Sequence, residues 1–60
     1  MIIEGECFHD VKLFVSDSGA LHCSQQNDGT GKDDKLIIDK HHAAQLIAAL
    51  QRWVDGGEIE

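Results

Sequence analysis

The sequence predicts an α+β fold: a three-stranded antiparallel β-meander, with room for a fourth strand at the start, and one C-terminal α-helix packed on one face. Three observations predict it. Apolar and β-branched residues alternate on both sides of a glycine-bearing turn, Ser16-Asp17-Ser18-Gly19. A short apolar run, Leu36-Ile37-Ile38, stops at an aspartate. From Lys40 onward the apolar spacing lengthens to the helical period of about 3.6 residues.

The first hairpin carries its own register. A three-residue loop, Asp17-Ser18-Gly19, places Gly19 in the left-handed conformation that closes a type I turn plus bulge. Val15 then faces Leu21, Phe14 faces His22, and Leu13 faces Cys23. Val11, Leu13, Val15, Leu21 and Cys23 share one face; Lys12, Phe14, Ala20, His22 and Ser24 share the other. Gln25 to Asp34 is polar and rich in Asn, Asp and Gly, and reads as a loop. Lys35 to Ile38 reads as a short strand. Asp39 stands where an N-cap belongs. On the helix, Ala43, Leu46, Ile47, Leu50, Trp53 and Val54 fall within an arc of about 120°. Gly56-Gly57 ends it. The expected bounds are strands at about 8–15, 20–25 and 35–38 and a helix at about 40–54, in a single domain over 1–60. Ile2-Ile3 could add a strand, and Gly5 interrupts it.

Charge and length exclude several functions. Eleven acids against five bases give a net charge of −6 in 60 residues. The bases (Lys12, Lys32, Lys35, Lys40 and Arg52) form no run, whereas affinity for a phosphate backbone requires clustered cations. No nucleic-acid partner is expected. No apolar run approaches the roughly 20 residues that span a bilayer, so no membrane partner is expected. Met1-Ile2-Ile3-Glu4 has no basic n-region, and the expected location is the cytoplasm. There, Cys7 and Cys23 read as free thiols.

The residues with chemical potential do not assemble into a familiar pattern. Cys7, His9, His22, Cys23, His41 and His42 lack zinc-site spacing. His22 and Cys23 point to opposite faces of a strand, and His41 and His42 diverge by about 100° on a helix. No metal or cofactor is expected. Gly29-Thr30-Gly31-Lys32 lacks the Ser or Thr that a phosphate loop places after its lysine, Asp33 standing there instead. Triads of Ser, His and Asp are nominally possible but arise by chance at these numbers, and so short a chain has little room for a substrate pocket of about 300 Å³ or more. The protein is expected not to be an enzyme.

The stretch Val11 to His22, together with Leu36-Ile37-Ile38-Asp39 and Ala43, Leu46, Ile47 and Leu50, resembles small phage and prophage proteins with a meander followed by one helix. The resemblance implies a phage or mobile-element accessory role. The element order is also similar to that of small single-strand-binding coactivators that dimerise through a helix, whose basic face this chain lacks.

The face away from the helix carries the candidate contact residues. Phe14 lies there, Ile37 joins it if Leu36 and Ile38 face the helix, and Phe8 shares the parity of Phe14 if the strand starts that early. Chains below about 70–80 residues seldom build a self-sufficient core. The sequence therefore points to a small acidic protein that binds an unidentified protein partner, and to a homodimer in which a second copy covers Phe14 and Ile37, the apolar patch being rimmed by carboxylates. The alternative is an acidic mimic of nucleic acid that inhibits a DNA-handling protein.

Overall fold

The computed structural model describes residues 1–59; Glu60, the last residue of the expected domain, lies outside them. Four strands and one helix follow in order: β1 (Ile2–Ile3), β2 (Val11–Val15), β3 (Leu21–Asn27), β4 (Lys32–Ile38) and α1 (Lys40–Val54). The strands form one antiparallel sheet in the order β1-β2-β3-β4.

Gly19 sets the first turn. Its φ of 86° is the left-handed value that a side chain resists. Its N–H donates to the Ser16 carbonyl at 2.9 Å, and the Ser16 N–H donates to the Ala20 carbonyl at 3.0 Å. The register follows: Leu13 faces Cys23, Phe14 faces His22 and Val15 faces Leu21. Continued into β4, it pairs Leu21 with Ile38, His22 with Ile37 and Cys23 with Leu36. The sheet therefore has an inner face (Leu13, Val15, Leu21, Cys23, Leu36, Ile38) and an outer face (Lys12, Phe14, His22, Ser24, Lys35, Ile37).

Three strand boundaries differ from those expected. The first long strand starts at Val11 rather than near residue 8, because residues 4–10 form a loop tied to the far end of the sheet. Ile2 and Ile3 do pair, opposite Lys12 and Val11. The polar stretch after Gln25 is a hairpin and not an open loop. Gln25, Gln26 and Asn27 pair with Asp34, Asp33 and Lys32. The turn between them is held by the Gly31 N–H donating to the Asn27 carbonyl at 3.0 Å, with Gly31 at φ 71°. Asn27 completes it: its Oδ1 accepts from the Gly29 N–H at 2.9 Å, and its Nδ2 donates to Asp34 Oδ2 at 3.1 Å. Backbone pairing and turn chemistry extend these strands without apolar alternation.

Asp39 alone joins β4 to α1. Its extended backbone (φ −100°, ψ 178°) is fixed by a reciprocal capping box. The His42 N–H donates to Asp39 Oδ1 at 2.8 Å, and the Asp39 N–H donates to His42 Nδ1 at 3.4 Å. That role needs a neutral ring; Nδ1 also lies 3.2 Å from Asp39 Oδ1, where a protonated ring would pair with the carboxylate instead. At the other end, Gly56 (φ 91°) and Gly57 donate to the Trp53 and Arg52 carbonyls, the Schellman arrangement.

The helix covers less of the sheet than its apolar stripe suggests. Its first turn stands beside the inner face, where Lys40 and Ala43 border a small cavity of about 190 Å³ with Val15, Leu21 and Ile38. An open groove of about 410 Å³ then separates Leu36, Ile37 and Ile38 of β4 from His42, Leu46 and Ala49 of α1. Beyond it the helix leaves the sheet: Trp53 is 64% exposed, as is Val15 of the inner face at 66%. Among the described residues Ile38, at 8%, is the one buried apolar side chain. The fold class stands as expected, but the packing of α1 on one face is confined to its N-terminal turns. The cause is the short junction, since connections between elements commonly take about 2–6 residues.

Ile38→Ala should be the most costly single truncation, at about 2–5 kcal/mol. Asp39→Ala should remove a cap worth about 0.5–2 kcal/mol. Urea denaturation followed by circular dichroism checks both; equal costs would show that Ile38 is not the packing centre.

Candidate functional site

The outer face collects a row of three side chains across the middle of the sheet. Phe14, His22 and Ile37 are cross-strand neighbours on β2, β3 and β4. The Phe14 and His22 rings stack with centroids 4.6 Å apart and planes 17° apart. Stacked aromatic pairs are worth about 0.5–1.5 kcal/mol beyond their area. His22 is half-buried beneath its neighbours, while Phe14 and Ile37 are each 58% exposed.

The next row differs from expectation. One row over on the same face, two residues before Phe14 and Ile37 and two after His22, stand Lys12, Lys35 and Ser24, with Ile2 beyond Lys12 at the β1 edge. The apolar row is therefore flanked by two ammonium groups and a hydroxyl, not rimmed by carboxylates. The nearest acid in the ladder on this face is Asp33, opposite Gln26 and one row further out. Sequence order hides this, because Lys12 and Lys35 are far apart in the chain. Pairing both strands with β3 brings them to the same row.

Phe8 does not join them. It is 82% exposed and belongs to the 4–10 loop, where it borders an open groove with Glu6, Cys7, His9 and Asp28. That loop is fastened to the β3–β4 turn. His9 Nε2 and Asp28 Oδ2 are 2.9 Å apart, and Gln25 Nε2 donates to the His9 carbonyl at 2.8 Å. Inside the loop the Gly5 N–H donates to Asp10 Oδ1 at 3.1 Å. A Cβ at Gly5 would stand 2.4 Å from the Phe8 carbonyl oxygen, so only glycine fits there.

The remaining thiols and imidazoles lie apart. Cys7 is exposed in the loop, Cys23 is half-buried on the inner face, and both are free. Among the described residues, no three His, Cys, Asp or Glu side chains converge as metal ligands. No helix among them is long and apolar enough to cross a membrane. His42 closes the capping box with Asp39. Its capping role escapes a reading that looks for Glu or Gln at that position.

Comparison of the chain with protein-family models, with curated proteins and with solved structures returned no match.

Two carboxylates are shifted, both downward. The hydrogen bond from His9, then its charge, holds Asp28 below the ordinary aspartate range; slight burial opposes this and Gln26 adds a weaker hydrogen bond. The His42 backbone N–H does the same for Asp39. A carboxyl lowered in the folded state stabilises the fold above its unfolded value of about 3.9, and that contribution fades as the pH falls through the folded value. In an NMR titration, Asp28 should titrate below about 3.9 and return toward it in His9→Ala. An unchanged Asp28 in that variant would show that the ring does not hold the loop.

Proposed function

We propose that this chain is a non-enzymatic binding protein whose outer face receives a segment of another protein, in an accessory role of the phage or mobile-element kind. The single observation that carries the reading is the exposed Phe14–His22–Ile37 row, set beside Lys12 and Lys35 on a chain of net charge −6. An apolar row held by an aromatic stack provides the kind of rigid anchor that dominates binding energy in protein interfaces. Two lysines at its border select against basic partners and attract acidic ones. The matching partner segment is therefore apolar with flanking Asp or Glu, laid across the strands.

One observation favours a second reading. Rings on an open sheet beside lysines also form a platform on which bases of a single strand can stack, with phosphates at the ammonium groups. Two lysines release few counterions, and the remaining charge repels a polyanion.

The test presents both ligands to the same protein. A library of apolar-acidic peptides displayed on phage is selected against the wild-type chain, and binders are measured by fluorescence anisotropy. Phe14→Ala should weaken the best peptide about 30-fold, equivalent to a hot-spot loss of about 2 kcal/mol. Lys12→Glu with Lys35→Glu should weaken it further and more at low salt. A fluorescent single-stranded oligonucleotide should not bind at moderate salt. Micromolar oligonucleotide binding that disappears in the double lysine variant would replace the protein reading with the nucleic-acid one.

A further inference from the structure

The larger unpartnered surface is on the other side of the molecule. On the inner face Leu13 and Cys23 are half-buried, while Val15 and Leu36 are exposed. On α1, Ile47, Leu50, Trp53 and Val54 are exposed along one stripe. Each is the kind of surface that normally covers the other. Within one chain they do not meet, because Asp39 is the whole connection and its capping box with His42 fixes the direction in which α1 leaves.

The area left open is large. The chain exposes 5407 Å². A folded monomer of this mass exposes about 3,900 Å². The excess, about 1,500 Å² per chain over both faces and the 4–10 loop together, leaves room for the roughly 800 Å² that each partner buries in a standard stable complex. The Cα radius of gyration agrees: it is 13.0 Å, against about 10 Å for a compact chain of this length.

We propose that a second copy of this chain covers the inner face, with α1 of each copy lying across Leu13, Val15, Cys23 and Leu36 of the other. A two-fold axis gives both copies the same cover from one contact, used twice. A short hinge that cannot fold back is the condition under which an element is exchanged between copies. The charge is compatible, since the surfaces brought together are mainly apolar and the carboxylates remain outside. The inference is independent of the outer face, because Phe14 and Ile37 stay exposed in the exchanged pair.

Sedimentation equilibrium of the full chain over a range of concentrations should give twice the chain mass, and the melting temperature should rise with concentration. Added salt should leave the pair intact or tighten it, because screening reduces repulsion between two acidic chains. Leu50→Asp should raise the dissociation constant at least 100-fold, whereas Phe14→Asp should leave it within about threefold. The reverse ranking would overturn the proposal by placing the contact on the outer face.

Native Cys23 supplies a second readout that does not depend on how Leu50→Asp folds. In a Cys7→Ser background, Leu50→Cys and Trp53→Cys are each introduced singly and oxidised mildly. A disulfide-linked dimer, with Cys23 of one chain joined to the helix of the other, is the expected product. A disulfide within one chain would show that α1 closes on its own sheet. A monomer at every concentration, or a dimer in which neither cysteine cross-links, would likewise overturn the exchanged arrangement.

Discussion

The junction at Asp39 governs this molecule. An extended residue with a carboxylate can do two things at once: end a strand and cap a helix. Here it does both, and His42 returns the hydrogen bond, so the helix begins without any slack. The benefit is a well-defined helix start. The consequence is a helix that cannot turn back over the sheet it follows. Ile38, immediately before the junction, becomes the one buried apolar side chain among the described residues. The rest of the fold has to be understood as two apolar surfaces held apart by a short, rigid corner.

Local charge and total charge point in opposite directions on the outer face. A count of acids and bases describes the whole surface and favours a partner indifferent to phosphate. The strand ladder instead sets Lys12 and Lys35 in one row next to Phe14, His22 and Ile37. Electrostatic selection acts over roughly a Debye length of 8–10 Å at ordinary ionic strength. A partner approaching that row therefore senses the lysines before it senses the acids at the far end of the sheet.

The legible parts of the fold were those in which one residue fixes geometry. Gly19 sets the turn, and with it the register of Leu13 with Cys23 and Phe14 with His22, so the two faces of the sheet could be sorted from sequence. Asp39 and Gly56 marked the ends of the helix for the same reason. The polar arms of the second hairpin were not legible. Gln26, Asn27, Lys32 and Asp33 are solvated on both faces, and only Asn27 and Gly31 in the turn announce the pairing. Parity puts Phe8 beside Phe14 only if the strand starts before Val11, and Gly5 with the His9–Asp28 contact makes that stretch a loop. On the outer face, the first hairpin alone places Lys12 beside Phe14, but Lys35 joins their neighbourhood only through β4, because that proximity depends on two registers together. The stripe on α1 was visible, but what a stripe meets is set by the length of the connection before it.

One feature of β4 bears on how the protein avoids uncontrolled growth. It is the outer strand of the sheet, and its free side offers unpaired N–H and C=O groups to any other extended chain. Its first half, Lys32-Asp33-Asp34-Lys35, places charges on both faces, which penalises stacking of further strands. Its second half, Leu36-Ile37-Ile38, has no such protection, and α1 runs beside it across the groove. The groove leaves Leu36 and Ile37 more than half exposed, so this half of the edge has only the neighbouring helix across a gap, whereas charge guards the other half. A chain cut after Asp39 would lose that neighbour and leave an apolar strand edge of the kind that templates cross-β assembly.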